Sequence, residues 1–180
     1  MIKFIKSIIK NIIIKRFMPE SGSGARDYLA IKYLRGSGIE IGALGSPLPV
    51  PYGAQVKYVD RLSVKDLRSE YPQLKNSAFV EVDIIDDGQT LTKVPSDSCD
   101  FVIANHFLEH CENPLGALVT FLRVLKRKGV LYMAVPDKRC TFDEGRPVTA
   151  LQHIVKDYQE GPAWSRQQHF KEWRALVKRP

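Results

Sequence analysis

Cysteine is scarce in this 180-residue chain. Cys99, Cys111 and Cys140 fall at unrelated spacings that make neither a disulfide framework nor a zinc knuckle. Free thiols in a reducing compartment are the expectation. Acid is missing from residues 1–18, which carry Lys3, Lys6, Lys10, Lys15 and Arg16. The remaining 22 basic residues face 20 acidic ones, so the net charge of +7 belongs mostly to this arm, and no nucleic-acid partner is expected. Lysines interrupt every apolar run before it reaches the roughly 20 residues needed to cross a bilayer. No small-residue cleavage site follows the arm, which disfavours a cleaved signal peptide. The dinucleotide fingerprint GxGxxG is absent as well. Counted from Gly42, its later glycines would fall on Leu44 and Pro47, which argues against a pyrophosphate cradle and a nicotinamide-dependent oxidoreductase.

What remains reads as one domain, since 44% hydrophobic residues suffice for a core. In residues 1–18, Ile5, Ile8, Ile9 and Ile12 follow helical spacing with lysines facing away. Such a basic amphipathic helix can lie in a membrane interface or pack on its own domain or a partner subunit. Residues 19–25 read as a flexible linker. Residues 26–147 then alternate between strands and helices, and residues 148–180 read as helices. Strands are expected at 39–41, 56–59, 79–82, 101–104 and 130–135. The strongest helix runs from Pro114 to Lys128, capped by Asn113, ended by Gly129 and buried through Leu115, Leu118, Leu122 and Leu125. This alternation predicts an α/β fold, a doubly wound parallel sheet whose ligands bind at the carboxyl ends of the strands.

The polar residues gather at that edge. Gly42 and Gly45 follow the first strand, Asp60 the second, Asp83 the third, and Asn105-His-Phe-Leu-Glu-His110 the fourth. A glycine turn lets a backbone approach a ligand closely, and an acid ending the second strand can accept hydrogen bonds from ribose hydroxyls. A strand-end aspartate is by itself only a turn residue; three polar strand ends in order favour a pocket. His106, His110 and Cys111 supply no fourth metal ligand, so no metal site is expected. Asp86-Asp87-Gly88 reads as a turn.

The segments EIGALG, YVDR, VEVDIIDDG, PSDSCDFVIANHFLEHCENP and LVTFLRVLKRKGVLYMAVPDKR together resemble the class I S-adenosylmethionine-dependent methyltransferases, in particular the group called methyltransferase type 11. The resemblance covers about Gly38 to Arg139. It implies a Rossmann-like sheet of about five strands in the order 3-2-1-4-5, with S-adenosylmethionine as cofactor. Glu40 and Gly42 match the family's first motif, a carboxylate followed by three glycines at alternate positions, but Leu44 and Ser46 replace the later two. By the same resemblance, Glu40 orients the loop, and Gly42, Ala43 and Gly45 pass beside the methionine and ribose. Asp60 takes the ribose hydroxyls with Arg61 beside the adenine, Asp83 and Ile84 take the adenine, and Asn105 and His106 line the sulfonium side.

Methyl transfer is an in-line displacement that depends on positioning. Where the acceptor must lose a proton, His106 is the first candidate base, followed by His110 and Glu109. The last two are equally readable as stabilising the next helix. Lys138, Arg139 and Arg146 could hold an anionic or sugar acceptor, or simply form a solvated loop. His153 and His169 read as surface or packing residues. The family's final antiparallel strand pair has no counterpart after Val135, which leaves an edge for the last helices or a second subunit, in a homodimer, to cover. The expected activity is methyl transfer to a small-molecule acceptor, saccharide or lipid-linked, by a cytoplasmic protein that the arm could bring to the inner membrane surface. The alternative is a truncated or degenerate methyltransferase-like interaction module.

Overall fold

The computed structural model describes residues 22–176 apart from residue 75. The arm, residues 1–18, and the first residues of the expected linker lie outside the described residues. Helix α1, Gly22–Tyr33, begins inside that linker. Glycine and serine suit a helix start as well as a flexible tether, and the helix is held by Ala30 and, just beyond its end, Leu34, both fully buried.

Five strands form one sheet: β1 (Ser37–Ile41), β2 (Gln55–Asp60), β3 (Ile84–Ile85), β4 (Cys99–Asn105) and β5 (Leu125–Ala134). Their order is β3-β2-β1-β4-β5 and every pairing is parallel. This is the expected topology. Strand alternation divides the core between two faces. Ile39, Ile41, Val59, Val102 and Ala104 meet Ala117, Phe121 and Val124 of α3 (Pro114–Val124). Phe101 and Ile103 point the other way, onto Ala30, Leu34 and Leu48. By the same period Glu40, between Ile39 and Ile41, faces the α1 side. Phe101 and Phe121 are wholly buried, and each such side chain stabilises the fold by about 1.5–3 kcal/mol.

Two expected elements end elsewhere. The third strand is not 79–82 but Ile84–Ile85, paired with Val59 and Asp60. Asp83 therefore precedes the strand it was expected to end. Its carboxylate accepts the Tyr58 amide at 2.7 Å, and its own amide donates to the Tyr58 carbonyl at 2.9 Å. The helix predicted to reach Lys128 stops at Val124, because Leu125 already pairs with Cys99. Register then jumps: Phe101 opposes Val130, and residues 126–129 bulge out with Lys128 at φ 68°. The buried stripe of α3 is Ala117, Phe121 and Val124; of the expected leucines, Leu125 is buried as the first residue of β5, Leu118 packs half-buried on the same core, and Leu122 is exposed. Its start is as predicted, with Asn113 Oδ1 accepting the Gly116 amide at 2.9 Å and proline in the first turn.

A short helix α2 (Val64–Glu70) follows β2. After β5 come α4 (Leu151–Glu160) and α5 (Ala163–Leu176). The principal neighbour of α4 is α3, and Arg166 of α5 forms a two-pronged pair with Glu112, 2.7 Å for each bond. The one buried residue of α4 is Asp157, whereas the apolar Leu151 is exposed. Among the described residues no helix is long and apolar enough to cross a membrane.

Candidate active site

A cleft of about 280 Å³ opens at the carboxyl ends of β1 and β4, lined by Arg26, Glu40, the loop 41–46, Leu74, Ser77, Asn105 and His106. Its floor is the turn after β1. Gly42 sits at φ 66°, a left-handed conformation that glycine adopts without strain, and its amide stays tied to the Val59 carbonyl at 2.9 Å. Leu44 follows at φ 49°. The family resemblance placed a glycine there, and the chain keeps a left-handed backbone while carrying leucine. That costs on the order of 1–2 kcal/mol, and the Val80 amide, bonded to the Leu44 carbonyl at 2.9 Å, helps to hold it.

Glu40 is the buried charge of the site, at 2% exposure. Both carboxylate oxygens accept the Leu48 amide, at 3.0 and 3.1 Å. Burial pushes its pKa up to about 7, against the opposing pull of that amide and of the Arg26 guanidinium. Arg26 belongs to α1, where Arg26, Ala30 and Leu34 follow one stripe at four-residue spacing and Ala30 and Leu34 are buried. The backbone carbonyl of Arg26 accepts the Tyr132 hydroxyl at 2.9 Å. Its Nε is buried without a hydrogen-bond partner among the described residues, as are both amide atoms of Asn105. Buried polar atoms in native proteins are nearly always satisfied. Three such orphans, two of them donor nitrogens and one an acceptor oxygen, gather in residues that line one cleft.

His106 follows β4 with φ 51°, its amide held by the Ala134 carbonyl at 2.8 Å. A non-glycine residue in this region is a strained position of the kind that gathers at functional sites. Its Nδ1 lies 3.3 Å from Glu109 Oε1. Glu109 and His110 form a short turn, Leu108–His110, outside the cleft lining. The next residue, Cys111, has its thiol pKa pushed up to about 12 by burial first and then by Asp87 and Glu109, so it is no nucleophile at neutral pH.

Of the expected cofactor residues, Glu40, Gly42, Ala43, Gly45, Asn105 and His106 share the cleft. Asp60, Arg61, Asp83 and Ile84 do not line it. Asp60 stands beside the glycine turn at the end of β2, half-buried, accepting the Arg61 amide at 2.7 Å. Arg61 is engaged by Glu70 of α2. Beyond β3 the ligand edge is occupied by Asp86 and Asp87, not Asp83. Burial works to raise the Asp86 carboxyl, but hydrogen bonds from the Lys93 amide, Thr92 Oγ1 and the Asp87 amide outweigh it and hold it below the ordinary range. Gly88 then permits a close approach: a Cβ there would lie 2.5 Å from Ile41 and 2.6 Å from the Phe107 ring. The distal cations are internally paired, Arg139 with Asp137, Arg146 with Asp143, and Lys138 with the Glu144 carbonyl. Sequence reasoning missed Arg26. Its signal was a charge on the stripe that also carries Ala30 and Leu34.

A parallel five-stranded sheet in this order, with a glycine turn after its central strand and polar residues at the adjoining strand ends, defines a Rossmann-like cofactor-binding domain. Residues 28–179 match the family model described as methyltransferase domain, and the chain belongs to that family. Fold and family are those of the S-adenosylmethionine-dependent methyltransferases. Comparison with curated protein sequences gave no match. Among solved structures, YcgJ from Bacillus subtilis is 21% identical with a TM-score of 0.43, over 61% of this chain and 48% of its own. A SAM-dependent methyltransferase from Aquifex aeolicus is 19% identical with a TM-score of 0.37, over 52% and 53%. A protein from Methanococcus maripaludis is 14% identical with a TM-score of 0.46, over 97% and 80%. The chain thus spans about half the length of the first two.

Proposed function

We propose that the cleft binds S-adenosylmethionine and that the chain transfers its methyl group to a small-molecule acceptor, with a saccharide or lipid-linked compound as the favoured class. The observation that carries this reading is the set of orphaned polar atoms, Arg26 Nε and both amide atoms of Asn105, beside the buried Glu40 carboxyl. The amino-acid end of the cofactor offers a carboxylate, an ammonium and a sulfonium. A guanidinium, an amide with one donor and one acceptor group, and a carboxylate are the complementary chemistry. When bound, the cofactor supplies an activated methyl group to an in-line displacement.

The chain's own residues position and deprotonate. The left-handed turn at Gly42 brings backbone to the cleft floor without a side chain in the way. Asn105 and His106 lie on the wall formed by β4. With Nδ1 of His106 facing Glu109, Nε2 is the nitrogen available to take a proton from an oxygen or nitrogen acceptor.

Titration calorimetry with S-adenosylmethionine and its demethylated product tests the reading. One-to-one binding is expected, weakened at least tenfold in Asn105→Leu and in Arg26→Met. Absence of heat with both compounds would remove the proposal. Binding without turnover on a broad acceptor panel would replace the enzyme with an interaction module.

A further inference from the structure

Asp157 is 4% exposed in the middle of α4, where an apolar residue would be expected. Burying a carboxylate is costly unless it is paired. Its Oδ1 accepts Ser165 Oγ at 3.1 Å, and its Oδ2 lies 3.3 Å from Nε2 of His153, one helical turn earlier. The Nε2 of His169, on α5, lies 2.9 Å from the same His153 nitrogen. One ligand atom from each residue falls within a span of 4.8 Å. With neutral imidazoles, a single proton on His153 Nε2 would have to serve both short contacts, because a second proton on His169 Nε2 would point at the first. A cation would meet all three lone pairs at once.

We infer that His153, Asp157 and His169 form a binding site for a divalent transition metal of the zinc type, joining α4 to α5. Ligand atoms about 2.0–2.2 Å from a tetrahedral zinc are about 3.3–3.5 Å apart. The His153–Asp157 separation already has that value. The two imidazoles need to part by a few tenths of an ångström, and the remaining edge needs to close. Two imidazoles and one carboxylate suit this class of metal. One outer group that orients a metal ligand is in place, and a second stands near another. Ser165, 1% exposed, fixes the free oxygen of Asp157, and Glu172 Oε2 lies 3.7 Å from the other nitrogen of His169. Both histidines and the aspartate come from a helical pair tied to the segment between β4 and α3 through Arg166 and Glu112. The metal would act as a staple on that pair, independently of whether the cleft binds S-adenosylmethionine.

Trp164 provides a reporter, since its ring centroid lies 4.7 Å from that of His153. The full chain, free of any histidine tag and stripped with a chelator, is titrated with Co²⁺ and then with Zn²⁺. One equivalent of Co²⁺ is expected to bind at micromolar concentration or below, with visible absorption bands of low-coordinate cobalt and quenching of tryptophan fluorescence. Zn²⁺ should displace it and raise the melting temperature. Affinity should fall at least tenfold in His153→Ala and in His169→Ala. Should either variant fail to fold, the absorption spectrum and quenching of the unaltered chain decide the matter. No saturable Co²⁺ binding below millimolar concentration would overturn the inference, as would binding unchanged in both folded variants.

Discussion

At the scale of single residues, Glu40 couples the site to pH. Its carboxyl holds a proton to about pH 7 in the native state, against an ordinary value of 4.5. Between those values the native chain binds a proton that the unfolded chain has released, so stability falls as pH rises through this window. The contribution is complete below the ordinary value and gone above the raised one. At 1.36 kcal/mol per pH unit, it is on the order of 3 kcal/mol as an upper figure. Glu40→Gln removes the titration while keeping an oxygen for the Leu48 amide. Urea unfolding at pH 5 and pH 8 should therefore show the variant gaining on the parent at the higher pH. Parallel profiles would count against a buried, titrating Glu40. The neighbouring Leu44 teaches a related lesson: the side chain departs from the family's motif, while its φ of 49° preserves the left-handed turn.

At the scale of elements, the link between β3 and β4 depends on Arg123 at the end of α3. Its guanidinium donates to the carbonyls of Val94 at 2.9 Å, Leu91 at 2.7 Å and Thr90 at 3.3 Å, fastening residues 90–94 to the helix. Hydrogen bonds from a charged group contribute about 1.5–3 kcal/mol each in such settings. Arg123→Met, which keeps the aliphatic stem, should lower the unfolding free energy by about 2 kcal/mol in denaturant titration with the slope unchanged; a loss below about 0.5 kcal/mol would mean that the loop holds itself. The central strands were legible because Phe101 to Ala104 is an apolar run and Ile39 and Ile41 flank Glu40 just before a glycine turn. The cap of α3 was legible from Asn113-Pro114. The third strand was not, since a two-residue strand leaves no period to read and the apolar Phe79 and Val80 drew attention upstream. The end of α3 was hidden because Leu118, Leu122 and Leu125 continue a helical spacing that sheet pairing at Leu125 overrides. In the site, strand-end glycines and polar residues pointed to the cleft, but Arg26 contributes from outside the recognised motifs. The His153–Asp157–His169 cluster was hidden because it joins two helices across the Gly161 turn.

At the scale of the whole molecule, the charge is lopsided: residues 1–18 hold five basic side chains and no acid, while the rest is nearly balanced. Attraction to anionic lipid scales with such charge and fades with salt. Co-sedimentation with vesicles containing anionic lipid should retain the full chain at low salt, release it at high salt, and lose a form lacking residues 1–18; equal sedimentation of both forms would remove the arm as the lipid contact. Sheet order carries a further consequence, for synthesis. The central strand β1 gains its second neighbour only when β4 has been made, and Arg26 receives its anchor only with Tyr132, 106 positions later. Such non-local contacts slow folding because a long loop must close before they form. A chain emerging from the ribosome thus carries its first motif exposed and half-paired through most of its translation, and the binding cleft is among the last features to become rigid.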